Sequence, residues 1–277
     1  MIASIKAGFR HTIRHWKLAV YIFIVQFIVA AIVGFLFEKD LSAELGQSIS
    51  GRLFNDRFNY TVFKDMLRDA PEAISSFLSG LQFVVLLFFV IAIFLQAGAI
   101  SSLIQSQSSI KDYVKNAIKY FLPFFGLALI FLFLFLMITG ILWVPLLMNA
   151  LPIVEALESD KIFIWILGGV FILYLLLISF LINWSINARI NYAIVKKSIW
   201  SSVKSGFKWT KEKYLSLLLP FLLFLCLGIF MMYLNVKFDN LNAIFLVFAV
   251  SLFLSLIRIF IRLWYYSSLS RFSSAIN

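Results

Sequence analysis

Residues Phe121–Met148 read FLPFFGLALIFLFLFLMITGILWVPLLM, a run without a single charge. About 20 apolar residues in a helix cross a hydrocarbon layer, so this run is long enough to span a membrane. Inside lipid no water is at hand for backbone N–H and C=O groups, and a helix satisfies them within its own segment. Five further blocks share the pattern: Leu18–Phe37, Leu81–Leu103, Ile162–Ile186, Leu215–Leu234 and Ala243–Ile261. The sequence therefore predicts an all-α polytopic membrane protein, with six transmembrane helices in one integral membrane domain over residues 1–277. The composition agrees. Of the 277 residues 62% are hydrophobic and 13% are charged, about half the charged share of soluble domains.

The first block follows a basic stretch, as the apolar core of a signal peptide does. It is longer than such a core and no small-x-small cleavage pattern follows, so it reads as a retained span. Cys226 is the single cysteine, which excludes a disulfide framework within the chain.

Charge sets the expected orientation. Seventeen of the 24 Lys and Arg residues fall in four segments: the tail before span one, the connections between spans two and three and between spans four and five, and the end of the chain. Eleven of the 13 acidic residues lie on the opposite side. Cytoplasmic connections carry the excess of Lys and Arg. Both termini are thus expected on the cytoplasmic side of the cell inner membrane. The basic balance needs no nucleic acid, since no segment is long enough for a soluble DNA-binding domain.

Three stretches resemble one another, beginning at Ile5-Lys6, Ile110-Lys111 and Val203-Lys204. Each separates basic from apolar residues at helical spacing. Ile2, Ile5, Phe9, Ile13 and Trp16 form the first apolar stripe. Ile110, Tyr113, Val114, Ala117, Ile118 and Phe121 form the second. Ile199, Val203, Phe207 and Tyr214 form a sparser third. Such helices lie in the membrane plane with cations toward the headgroups. Two spans follow each, so the sequence predicts three repeats of a basic interfacial helix plus a membrane hairpin, over about 1–104, 105–195 and 196–277. The external segment 38–80 is long enough for helices of its own. Leu41, Leu45, Ile49 and Leu53 recur at every fourth residue there, and Pro71 suits the first turn of the helix that enters span two.

Chemistry is sparse. The exceptions to uncharged span interiors are Arg258 and Arg262, near the end of span six, which are expected to snorkel to phosphates. With Lys111, Lys115, Lys119, Lys204 and Lys208 they form the predicted lipid-headgroup set, for which anionic membrane lipids are the expected partners. Gln96, Gly98 and Asn183 are expected to serve helix packing. His11 and His15 have metal-ligand spacing, but Arg10, Arg14 and Lys17 would repel a cation, so they read as part of a solvated basic face. No catalytic constellation, metal site or cofactor motif is visible.

The repeated basic helix and hairpin, Gly-Phe-Arg at 8–10, Gly-Phe-Lys at 206–208 and Phe-Asn-Tyr-Thr-Val at 58–62 together give a family resemblance. The chain resembles a loose bacterial superfamily of six-span proteins, and the membrane domain attached to some glycerophosphodiester phosphodiesterases. The resemblance implies the six-span fold over nearly the whole chain. It implies no phosphodiesterase activity, because no such domain is attached. The expected role is a non-catalytic accessory or assembly module that organises lipid or a membrane protein partner. A transporter, flippase or channel for an apolar or lipid-like substrate is the alternative. Proton coupling and acid–base chemistry both need titratable groups that the spans lack.

Overall fold

The computed structural model describes residues 2–45, 71–148, 160–195, 198–239 and 244–274. These form seven helices: α1 (Ile2–Arg14), α2 (Lys17–Leu45), α3 (Pro71–Ile104), α4 (Ile110–Met148), α5 (Asp160–Val195), α6 (Ile199–Asp239) and α7 (Ile244–Ser274). The last six each contain a stretch long and apolar enough to cross a membrane. Every predicted block lies within one of them, apart from Ala243, which is outside the described residues. Between 11% and 33% of each apolar stretch is buried. Side chains such as Phe133, Trp165, Leu215 and Phe253 point outward instead, as lipid-facing residues do. Of the predicted external segment, α2 reaches Leu45 and α3 begins at Pro71 as expected; Ile49, Leu53 and 58–62 lie outside the described residues.

Two compact units are present. The smaller, Tyr21–Ala92, holds most of α2 and the first part of α3. Phe23 stacks on Phe27 in it, with ring centroids 6.2 Å apart. The larger comprises Met1–Val20 and Ile93–Asn277. In it α6 packs on α5 and α7, α5 on α4, and α1 on α7. One apolar cluster, Leu127, Phe131, Leu181, Ala188 and Val203, joins α4, α5 and α6. Trp184 packs on its edge, 5.1 Å from Phe131 and 4.9 Å from Phe207 in edge-to-face geometry.

Among the three basic stretches, only the first forms a helix of its own. α1 is joined to α2 by a tight turn at His15–Trp16, where Trp16 N–H donates to Ile13 O and Leu18 N–H to His15 O. The second and third stretches are instead the first turns of α4 and α6, which corrects the expectation of three separate interfacial helices. Length explains the difference. At 1.5 Å per residue, helices of 39 and 41 residues run for roughly 60 Å, about twice the hydrocarbon thickness. The basic turns can lie beyond the hydrocarbon without leaving the helix. Ser198 caps α6, its Oγ accepting Ser201 N–H at 3.2 Å. Pro123 and Pro220 stay within their helices.

Candidate functional site

The three basic stretches present the same positions inward. Gly8, Tyr113 and Gly206 stand at equivalent places and are buried, as are Thr12, Ala117 and Thr210. The cations Lys6, Lys111 and Lys204, and Arg10, Lys115 and Lys208, face outward. The apolar stripes are divided. Phe9, Ile13 and Trp16 are exposed, while the small and polar face of α1 is the one that packs. Where lipid is as apolar as a side chain, small residues and hydrogen bonds select the packed face.

Two of these joints share one register. On α7, Trp264 Nε1 donates to Ile5 O at 2.8 Å, and four residues later Ser268 lies against Gly8. On α5, Trp184 Nε1 donates to Val203 O at 2.8 Å, and four residues later Ala188 lies against Gly206. In each case the glycine follows the carbonyl by three residues. At the third joint Gly98 of α3 faces Tyr113 and Ala117 of α4, and Tyr113 Oη donates to Leu95 O at 3.0 Å.

Buried and half-buried amides and hydroxyls tie the helices together. Tyr265 Oη donates to Asn183 Oδ1 at 2.7 Å, linking α7 to α5. Asn183 Nδ2 donates to Ser179 O, and Ser179 Oγ meets Tyr214 Oη at 2.7 Å. Gln96 Nε2 donates to Tyr266 Oη at 3.0 Å, linking α3 to α7, and Asn187 Nδ2 to Thr210 Oγ1 at 3.0 Å, linking α5 to α6. The predicted headgroup residues are spread over three helices. Lys111, Lys115 and Lys119 line α4, Lys204 and Lys208 line α6, and all five are exposed. On α7, Arg262 is exposed and Arg258 is half-buried with its Nε enclosed and without an acceptor.

Two corrections concern basic residues. Arg189 lies inside α5, beyond the predicted end of the fourth span at Ile186, and is 8% exposed, with no acceptor for its Nε. His11 and His15, read as a solvated basic face, are 8% and 5% exposed. Their rings lie 4.6 Å apart. They line a cleft of about 360 Å3 with Arg14, Ser106, Ser108 and Arg271. His11 Nδ1 is 3.0 Å from Ser267 Oγ, and its Nε2 is 3.4 Å from Ser106 Oγ. Burial, then the charges of Arg271, His15 and Arg14, lower the His11 pKa from 6.5 to about 4. Burial and the same two arginines lower His15 as well.

No known family, curated protein or solved structure matches the chain.

Among the described residues no group of three His, Cys, Asp or Glu side chains could hold a metal ion. The Gly-x-x-x-Thr spacing of residues 8–12 and 206–210 is the signal in the sequence that marks the packed face.

Proposed function

We propose that the chain is a non-catalytic integral membrane module, an accessory or assembly subunit that organises lipid or a membrane protein partner. One observation carries this reading: the buried amides and hydroxyls named above serve joints between helices. Polar groups engaged in this way hold helices together. The shared register of the α1–α7 and α5–α6 joints supports the threefold repeat of basic helix and hairpin. The resemblance to the membrane domain of the phosphodiesterases fits such a module. The outward cations, Lys111, Lys115, Lys119, Lys204 and Lys208, suit an anionic inner leaflet, where each is worth about 1 kcal/mol.

The charge asymmetry orients the module with both termini in the cytoplasm. Single cysteines at positions 48, 115, 157 and 205, in a Cys226→Ser background, give the expected result in intact cells. An impermeant reagent should label 48 and 157 from outside, and 115 and 205 only after lysis. External labelling of 115 or 205 overturns the orientation.

The second reading, passage of a lipid-like substrate, has one observation in its favour: the buried guanidinium of Arg189 in α5. An ionisable side chain at membrane depth marks a pathway by default. Reconstituted into vesicles, the module should leave a fluorescent lipid in its original leaflet. Exchange faster than in protein-free vesicles, and lost in Arg189→Gln, would establish the second reading in place of the first.

A further inference from the structure

Two hydrogen bonds bring α3 and α5 against one turn of α7. Gln96 Nε2 donates to Tyr266 Oη at 3.0 Å, and Tyr265 Oη donates to Asn183 Oδ1 at 2.7 Å. Arg189 follows Asn183 by six residues on α5, and Tyr266 is within electrostatic reach of its guanidinium. We propose that Arg189 and Tyr266, with Gln96 beside them, hold a phosphate-type oxyanion where α3, α5 and α7 meet, supplied by a phospholipid headgroup or by soluble phosphate. This site goes beyond the role proposed above, which rests on the joints between helices. It concerns holding a headgroup, not moving one across the membrane.

The charge of Arg189 is unpaired. The residue is 8% exposed, and its Nε has no acceptor. Among the described residues no carboxylate acts on the guanidinium, and the group that does is the phenol of Tyr266. A buried cation without a partner is costly, and an anion beside it removes that cost.

Packing does not call for this cation. Ala188 and Ser268 meet Gly206 and Gly8, and Gly98 holds the corresponding place on α3. Counted from these three, the places equivalent to Arg189 are Ala99 and Leu269, which are 1% and 2% exposed. Apolar side chains fill the same position on the two other helices. Such replacements of a buried charge are often neutral or stabilising, so a guanidinium here points to a ligand.

The hydrogen-bonding groups that converge are donors. Tyr266 Oη accepts from Gln96, and its own O–H has no acceptor among the described residues. Together with the guanidinium it offers an oxyanion donors from two helices, and the guanidinium fork matches phosphate. Arg189 Nε is enclosed, which leaves the terminal nitrogens for the ligand. Gln96 and Tyr266 are half-buried, so the approach runs past them.

Depth favours the lipid source. Gln96 stands eight residues before the end of its apolar stretch at Ile104, Arg189 six before Val195 and Tyr266 six before Phe272. At 1.5 Å per residue these positions lie roughly 9–12 Å inside the helix ends. A phospholipid of the adjoining leaflet can bring its phosphate to that depth, whereas soluble phosphate must first leave water.

The test is thermal unfolding of the delipidated full chain in dodecylmaltoside. Phosphatidylglycerol, diacylglycerol with the same chains, and inorganic phosphate are titrated in separate arms. A ligand of the folded state raises the melting temperature as it saturates its site. Phosphatidylglycerol should raise it and diacylglycerol should not; a rise with inorganic phosphate alone supports the site and names the soluble source. In Arg189→Gln the phosphatidylglycerol needed for half the rise should increase about ten-fold, and in Tyr266→Phe about three-fold. Without lipid, Arg189→Gln should melt no lower than the unmodified chain, because it removes an unpaired charge. The triple change of Lys111, Lys115 and Lys119 to Gln should leave the half-rise concentration unaltered. If Arg189→Gln does not fold, Arg189→Lys takes its place with an expected increase of about three-fold, since it keeps the charge and loses the fork. No rise with either phosphate source overturns the proposal, as does an equal rise with diacylglycerol. A half-rise concentration unchanged in the Arg189 variant overturns it, and so does a lower lipid-free melting temperature in Arg189→Gln, which would make the residue structural. Weakening by the lysine changes as large as that by the Arg189 change also overturns it, since diffuse surface charge would then account for the binding.

Discussion

Gly206→Ala is expected to lower the melting temperature of the detergent-solubilised chain, and Gly8→Ala to lower it further. A Cβ at 206 would lie 2.9 Å from Ala188 N and 3.0 Å from Ala188 Cα. A Cβ at 8 would lie 2.7 Å from Ser268 N and 2.8 Å from Ser268 Cα. The obstacle in both cases is helix backbone, which cannot turn aside as a side chain can. The helices must therefore separate, and the neighbouring Trp184–Val203 and Trp264–Ile5 bonds, at 2.8 Å each, stretch with them. Overpacking of this kind costs about 1–3 kcal/mol. The gain in helix propensity from Gly to Ala offsets about 0.5–1 kcal/mol of it. Gly140 and Gly228 provide the control, since a Cβ there meets nothing within 4 Å. Alanine at those positions should be neutral or slightly stabilising. Equal melting temperatures for Gly206→Ala and Gly228→Ala would show that the α5–α6 joint does not depend on close approach.

The six spans were legible because lipid leaves the backbone one solution. A long uncharged run such as Phe121–Met148 must be a helix, whatever packs beside it. The face each helix presents was less legible. On α1 the apolar stripe of Phe9, Ile13 and Trp16 drew attention, yet it is exposed, and Gly8, Thr12 and His15 make the buried side. Apolarity alone cannot separate a lipid-facing residue from a packed one, since both surroundings are apolar. The histidines were misread for a related reason. Arg10 precedes His11 in sequence, but successive residues of a helix are about 100° apart, so the two occupy different faces, whereas Arg14, about a turn on, lines the same cleft as His11. The predicted fourth span ends at Ile186, three residues short of Arg189. The helix in fact continues to Val195 and takes the guanidinium inward. The joint beside it is tight, with Ala188 against Gly206 and Asn187 Nδ2 donating to Thr210 Oγ1.

Acid is expected to loosen α1 from α7, with the loss beginning below pH 6.5 and complete near pH 4. His11 has a folded-state pKa of about 4 against 6.5 when exposed, and His15 is lowered in the same direction. Between those values the unfolded chain binds more protons than the folded one, so stability falls as pH falls through the window. Above pH 6.5 both rings are neutral in either state and this contribution is fully present. Below about 4 the His11 ring is charged in the folded protein as well, facing His15 and Arg14 on α1 and Arg271 on α7. One pKa unit is worth ~1.4 kcal/mol, and solvent screening at the exposed arginines reduces the total to about 1–3 kcal/mol. Melting temperatures recorded from pH 7.5 to 4 test this against the double variant His11→Gln, His15→Gln. The unmodified chain should lose stability more steeply than the variant, whose remaining slope reports the carboxylates. Parallel slopes would mean that the histidines titrate as exposed groups and that the buried pair does not hold α1 to α7.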